Sequence, residues 1–338
     1  MPQQRPRQGQ SGRSPQQPQE TYPLPQDTRA LAQSHAGQCL NYGLRIERLL
    51  PCNAQTWELT KQAKERQGVR AFNQGDLQRI VSAHKARWEA MLNDYRQRGY
   101  ETRAFTMRAA SRVIVGLGAE SVLETSIRLH RIYGFPIIPG SALKDLARSY
   151  ALWQVAEQLG VPVLSSEDVA AREKSGRRTP IQILEAYLDE PDEKRRSHWL
   201  ENLKKDEAMP ESAKLRSLDF ATVEEKTKSF RSAFGTIGGA GQVIFFDAVP
   251  ANPATLRLDL DVMNPHYSSY YQGGNTPPAD YLNPVPVFFL AIAPDSEFMF
   301  AVASKNATLA QQAQAWLQAG LREMGIGAKT TAGYGLWR

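Results

Sequence analysis

This 338-residue sequence predicts an α+β fold. Three observations carry the prediction. The hydrophobic period changes from helical to two near Thr102. Strand-like runs and helices then follow one another to the C-terminus. The stretch from Asp27 to about Gly99 is helical in pattern and reads as an extension of the core.

Residues 1–26 are rich in Gln, Pro, Arg and Ser, with little to bury, and are expected to form a disordered tail. Residues 27–100 read as an N-terminal helical region. Asp27 or Thr28 caps a first helix with Leu31 and His35. A second carries Leu44, Ile46, Leu49 and Leu50 and stops at Pro51. A third, from about Gln74 to Arg98, places Leu77, Ile80, Val81, His84, Trp88, Met91, Leu92 and Tyr95 at three- and four-residue spacing.

Residues 101–338 read as the main domain. TRAFTMRAASRVIVGLG from Thr102 is strand-like, and SVLETSIRLHRIYGFPIIPG suggests a further hairpin. SALKDLARSYALWQVAEQLG is a helix, with Ser141 placed to cap it and a buried stripe of Leu143, Leu146, Ala147 and Tyr150. An insertion at about 161–230, with runs such as AREKSGRR and PDEKRR, reads as exposed short helices and loops. Strands resume with QVIFFDAVP, TLRLDLDVM, PVPVFFLAIA and EFMFAVAS. Thr308 is placed to cap a last helix, buried along Leu309, Ala313, Trp316, Leu317 and Leu321. A glycine-rich loop and a short strand, YGLWR, close the chain. Without the N-terminal helices and the insertion this is the β-α-β-β-α-β order of a modified ferredoxin-like fold, with an extra hairpin before the first helix. Its helices cover one sheet face. The other is expected to be free for a ligand, as in RRM-like RNA-recognition modules.

Composition narrows the function. A formal charge of +6 favours polyanionic partners. Cys39 and Cys52 make neither a disulfide framework nor a zinc site, and are read as small apolar residues of an intracellular protein. No signal-like or membrane-length apolar run is visible, so a soluble, cytoplasmic protein is expected. No cofactor or metal motif is present. Asp247, Asp259 and Asp261 could gather around a metal, but acidic residues alternating with leucine more often face solvent.

GIGAKTTAGYG at 325–335 invites comparison with a phosphate-binding P-loop. Ala328 stands where that motif needs glycine, a helix precedes the loop, and too little chain follows for the helix that would face the phosphates. ATP binding is therefore not expected. Two readings stay open. The glycines can form a helix-capping turn, or an anion-binding concavity supplied by backbone N–H groups with Lys329, Thr330 and Thr331.

FPIIPGSALKDLAR at 135–148 and GIGAKTTAGYG at 325–335 resemble the helix-entry motif and the C-terminal glycine-rich loop of the RAMP superfamily of CRISPR effector subunits. Within it the chain is similar to the family of sixth subunits of the Cmr, or type III-B, RNA-guided complex. NYGLRIERLLP, VGLGAESVLETSIRLHRIYGFPIIPGSALK, FGTIGGAGQVIFFDA and DVMNPHYSSYYQGGNTPPADYLNPVPVFFLAI carry that likeness over most of residues 40–338. The Gln/Pro tail and the charged stretch are outside it. The resemblance implies a ferredoxin-like RAMP domain that binds the 3′ region of the guide RNA and its target duplex. It also implies a place at the end of the filament, against the backbone RAMP subunit and a small helical subunit, in antiviral defence. Target cutting would belong to the backbone subunit.

Guide binding independent of sequence needs phosphate and 2′-hydroxyl contacts. The main candidates are Lys144 and Arg148, with Lys329, Thr330 and Thr331 on the frame of Gly325, Gly327, Gly333 and Gly335. Second come Arg108, Arg112, Arg128, His130 and Arg131. His266, Tyr267, Tyr270 and Tyr271 could stack on bases or pack a long loop. No catalytic residue is assigned. The alternatives are a metal-independent RNA endonuclease using His130 as acid or base, and a protein-interaction cap with little RNA contact.

Overall fold

In the computed structural model, the structure describes residues 20–59, 70–71, 75–121, 125–264, 273, 284 and 286–338. The tail up to residue 19 and His266, Tyr267, Tyr270 and Tyr271 lie outside these residues. The N-terminal part opens with β1 (Glu20–Thr21), which pairs antiparallel with β2 (Cys52–Asn53) around helices α1 (Gln26–His35) and α2 (Tyr42–Arg48). Cys52 is buried and Cys39 partly so. After β3 (Arg70–Ala71), helix α3 (Gly75–Gln97) leads into β4 (Glu101–Arg108). Leu77, Val81, Trp88 and Leu92 form the buried stripe of α3, as their spacing predicts.

Helix α4 (Gly140–Leu159) follows. The insertion holds α5 (Ser166–Lys174), α6 (Pro180–Asp189), α7 (Glu193–Lys205), α8 (Lys214–Ser217) and α9 (Phe220–Phe234). Next come the tight pair β5 (Gly235–Thr236) and β6 (Gly239–Ala240), then β7 (Val243–Phe245), β8 (Val249–Pro250), β9 (Arg257–Met263), β10 (Val287–Ile292), β11 (Glu297–Ser304) and helix α10 (Ala307–Glu323).

The central sheet has the ferredoxin order. β11 pairs antiparallel with β4 along its whole length, from Glu297–Arg108 to Ser304–Glu101. Its other edge carries β7 and β8. The last residues lie along the outer edge of β4, where Arg108 and Arg338 exchange backbone hydrogen bonds at 3.0 and 2.9 Å. The order is thus C-terminal strand, β4, β11, β7 with β8. Helices α4 and α10 pack on one another, with Leu146 against Gly320 and Trp316 Nε1 donating to Gln154.

Four expectations are corrected. The extra hairpin does not precede α4. Residues 109–121 and 125–139 run irregularly, and Ala109, Val113, Leu129 and Ile138 each bridge a different neighbour, because Gly116, Gly134, Pro136 and Pro139 interrupt any continuous ladder. The added hairpin is β9–β10, with β3 on its edge. The second sheet face is only partly open: α3 lies over the β11 side, with Trp88 and Leu92 lining a cavity beside Met299, while Ala104 and Thr106 of β4 stay exposed. The insertion is not a set of exposed helices. Leu184, Tyr187, Leu188, Leu203, Leu215 and Val223 are fully buried and join the main core. Several of its charges are ion-paired, including Arg172 with Asp206, both side chains under a tenth exposed. Finally, Asn306 rather than Thr308 caps α10, accepting from Leu309 N at 3.1 Å, and Ser141 does not cap α4. That role falls to Asp247, from beside β7, whose Oδ1 accepts the Gly140 N–H at 2.7 Å. Gly140 is required there, since a Cβ would sit 2.1 Å from the Phe245 carbonyl oxygen.

Candidate nucleic-acid interface

The glycine-rich loop is a clip, and its glycines divide the work. Gly325, at φ 74°, ends α10 by donating its N–H to Gly320 O at 3.0 Å, a left-handed helix stop. The capping account therefore holds for this residue. Beyond it, Ile326 N–H donates to Gly335 O at 2.9 Å and closes the loop. Ala328 N–H donates to Ile114 O and Gly335 N–H to Arg112 O, both at 2.8 Å. These bonds fasten the loop onto residues 112–114. Gly327 makes the approach possible: at φ 95°, a Cβ there would meet Ile114 O at 2.0 Å.

Between these anchors the chain makes a short 3-10 turn, Thr330–Ala332. It starts at Lys329, a non-glycine residue held at φ 61°, ψ 31°. Such a conformation is sparsely populated by side-chain-bearing residues and is retained where surrounding structure enforces it. Lys329 O accepts the N–H of Ala332 at 2.9 Å, and Gly333 N–H donates to Thr330 O at 3.0 Å. Among the described residues no carbonyl accepts the N–H of Lys329, Thr330 or Thr331. The Lys329 ammonium lies 5.9 Å from the Phe289 ring centroid.

The floor beneath is a polar network that sequence reasoning missed. Tyr334 Oη donates to Asp261 Oδ2 at 2.8 Å. Arg112 reaches Asp259 at 3.5 Å and Asp261 at 3.4 Å while staying 42% exposed. Burial, then the hydrogen bond to Asp261, pushes the Tyr334 phenol above its ordinary pKa. The alternating LDLDV stretch therefore holds an arginine. The signal was present in the period-two acidic pattern opposite a basic strand, but which cation it meets depends on a fold-level contact. Among the described residues no group of three or more His, Cys, Asp or Glu is placed to hold a metal.

Other candidates fall into two groups. Segment 112–116 joins the loop to Arg128, whose N–H donates to Val115 O at 2.7 Å, so Arg112, Arg128 and the clip share one backbone support. Arg128 and Arg131 are exposed, and no carboxylate is within ion-pair distance among the described residues. Lys144, half-buried, is likewise unpaired. It lies in the first turns of α4, at the end of the helix layer where α10 hands over to the loop: Leu146 packs on Gly320, and Tyr150 Oη bonds Glu323 at 3.3 Å.

Arg148 is in the other group. It bonds Glu185 at 2.6 Å and both oxygens of Asp189 at 2.8 Å, and lies over Phe230. Its charge is neutralised by the insertion, so it ties α4 to α6 and is not available to a phosphate. Arg108, the last residue of β4, sits opposite Glu297 at 3.8 Å.

His130 serves a turn. Its Nδ1 accepts the N–H groups of Ile132 at 3.2 Å and Tyr133 at 3.3 Å. Nδ1 is therefore unprotonated and the ring proton is on Nε2. His84 lies at a ring distance of 5.0 Å, and Tyr133 and Phe135 complete the aromatic cluster. Burial lowers the His130 pKa and, with the charges of His130 and Arg87, lowers that of His84 to about 4. No helix is long and apolar enough to cross a membrane among the described residues.

The sequence is 38% identical over 237 residues to the CRISPR system Cmr subunit Cmr6 of Pyrococcus furiosus, covering 68% of this chain and 65% of that relative, just under two thirds of its length. The crystal structure of Cmr6 from Pyrococcus furiosus aligns at 35% identity over 71% of this chain and 97% of that one, with a TM-score of 0.44. A chain of the type III-B Cmr-beta complex bound to cognate target RNA, seen by cryo-EM, aligns at 18% identity over 76% and 65% of the two chains, with a TM-score of 0.47. The RAMP superfamily profile matches residues 106–338, which hold all of the central sheet but the start of β4, the insertion and the glycine-rich clip, and the chain accordingly belongs to the RAMP superfamily.

Proposed function

We propose that this protein is a non-catalytic RNA-binding subunit of a type III-B Cmr ribonucleoprotein. In this reading it holds the 3′ region of the guide RNA, caps the backbone filament beside the backbone and small helical subunits, and serves antiviral defence. The observation that carries the RNA contact is the clip itself. It holds Lys329 in a left-handed conformation, with three consecutive N–H groups lacking a carbonyl partner among the described residues. Such a turn suits a phosphodiester: the N–H groups are directional donors and the ammonium adds charge. Lys144, Arg112 and Arg128 extend the same side of the molecule, and none of them reads base identity. The likeness to a named Cmr subunit supports the assignment to that complex.

The geometry of His130 argues against the nuclease alternative. A general base needs a free lone pair on Nε2, and a general acid needs a doubly protonated ring. The two backbone N–H groups aimed at Nδ1 oppose both forms.

The test is RNA binding across a salt series. Lys329→Ala and Lys144→Ala should each weaken binding of a guide-length RNA and reduce the slope of log K against log salt by about 0.7 to 1. ATP should not compete. Unchanged slopes in both variants would remove the proposed platform, and RNA cleavage lost in His130→Ala would make the protein a nuclease.

A further inference from the structure

The second feature is an apolar patch on the opposite side of the 126–135 segment from the clip's support. Leu40, Leu44 and Ile132 are 37, 46 and 71% exposed. One side chain brings two of them together. Asn41 Nδ2 donates to Ile132 O at 2.8 Å and to Arg131 O at 3.1 Å, while its Oδ1 accepts the Leu44 N–H at 2.9 Å. The backbone is pinned further by Gly134, at φ 73°, where a Cβ would sit 2.3 Å from Tyr42 N. The His130 hydrogen bonds hold the other half of the turn, and Arg87 donates to Tyr133 Oη at 2.6 Å. Ile132 is thus an exposed aliphatic side chain on a turn with little freedom left to lose. That is the property of an interface anchor, because ordering cost is already met before binding.

The rim identifies the occupant. Arg45, Arg48 and Arg131 have no carboxylate within ion-pair distance among the described residues. Arg48 lies one helical turn beyond Leu44, on the same face. An RNA would meet phosphate-binding arginines here but nothing to stack on, since the neighbouring rings of His84, His130, Tyr133 and Phe135 are occupied with one another. A second copy of this chain would bring arginine against arginine. We infer that the Leu40–Leu44–Ile132 patch docks a different protein, presenting aliphatic side chains rimmed by carboxylates. This inference rests on the Cmr reading above, which requires protein neighbours.

The probe is the Cmr complex of the same organism, purified with its guide RNA but without this subunit. Ile132→Glu and Leu44→Glu should weaken association with that complex by roughly thirtyfold or more. Arg131→Glu with Arg48→Glu should weaken it in a salt-sensitive manner. All these side chains are exposed, so the melting temperature should not change, and the isolated Ile132→Glu and Leu44→Glu proteins should bind guide RNA within about twofold of wild type. Association of Ile132→Glu and Leu44→Glu at wild-type strength would overturn the inference while leaving the Cmr reading intact. Loss of RNA binding with protein association unchanged would make the patch an RNA contact instead. Self-association abolished by Ile132→Glu would make it a contact between copies. If the wild-type protein does not join the complex at all, the Cmr reading and this inference fail together.

Discussion

Replacing Gly327 by alanine should cost far more than replacing Gly333 by alanine, although both are left-handed glycines of one loop. Each substitution places a Cβ at positive φ, 95° and 87° respectively, a penalty of roughly 1–2 kcal/mol. At Gly333 nothing lies within 4 Å of the new atom, so the penalty ends there. At Gly327 the Cβ would sit 2.0 Å from Ile114 O, a backbone atom that cannot swing aside. Ile114 is fully buried, and its carbonyl accepts the Ala328 N–H that fastens the clip. Relief requires moving the two segments apart, breaking that hydrogen bond and loosening Ile114 from Phe289. Those losses add roughly 2–3 kcal/mol. Gly327→Ala should therefore destabilise by roughly 3–5 kcal/mol and Gly333→Ala by about 1–2. In thermal unfolding, at about 2 °C per kcal/mol for a chain of this size, the two should separate by several degrees. Gly327→Ala should also lose RNA affinity because Lys329 is no longer held. Equal melting shifts for the two variants would refute the claim that close backbone approach, rather than conformational freedom alone, demands glycine at 327.

Three further outcomes follow from the geometry. Arg148→Ala should destabilise the α4–insertion contact by roughly 1–2 kcal/mol, the partners being partly hydrated, while leaving the RNA salt slope unchanged; a reduced slope would restore it as a phosphate contact. Asp206→Ala should cost roughly 3 kcal/mol by leaving buried Arg172 only its 3.6 Å ion pair with exposed Glu207, read as a lowered urea midpoint, whereas Asp206→Leu with Arg172→Met should recover much of the loss. The His84 pKa, lowered to about 4 from an ordinary 6.5, makes the unfolded chain the better proton binder between those values. Stability should be unaffected by this group above about pH 6.5 and fall as pH drops through the window, by roughly 1–2 kcal/mol after discounting the partly exposed ring. His84→Phe should flatten that part of the profile, and an unchanged profile would contradict it.

Much of this molecule is determined by its sequence alone, and the reason is local. Period and composition set the helices from Leu77 to Leu92 and from Leu309 to Leu321, and the strands around Val243, Leu258, Phe289 and Phe300, because a side chain's face depends on its spacing to near neighbours. The same holds for the rejection of a nucleotide cradle, since a helix rather than a strand precedes the loop and Ala328 stands where the motif needs glycine. Other decisions needed contacts between residues far apart in the chain. Lys144 and Arg148 look equivalent one turn apart, but only Arg148 meets Glu185 and Asp189, contributed by the insertion. His130 reads as a candidate base until the turn at Ile132 and Tyr133 occupies its Nδ1. The carboxylates Asp259 and Asp261 read as solvent-facing or metal-binding until β4's continuation delivers Arg112. The α3 helix was legible as a helix, yet nothing in its own residues says that it covers the β11 side of the sheet face a ligand was expected to use, leaving Ala104 and Thr106 exposed. Charge and hydrogen-bond demand are properties of residues; which partner satisfies them is a property of the fold, and that partner decides whether a cation remains available to RNA.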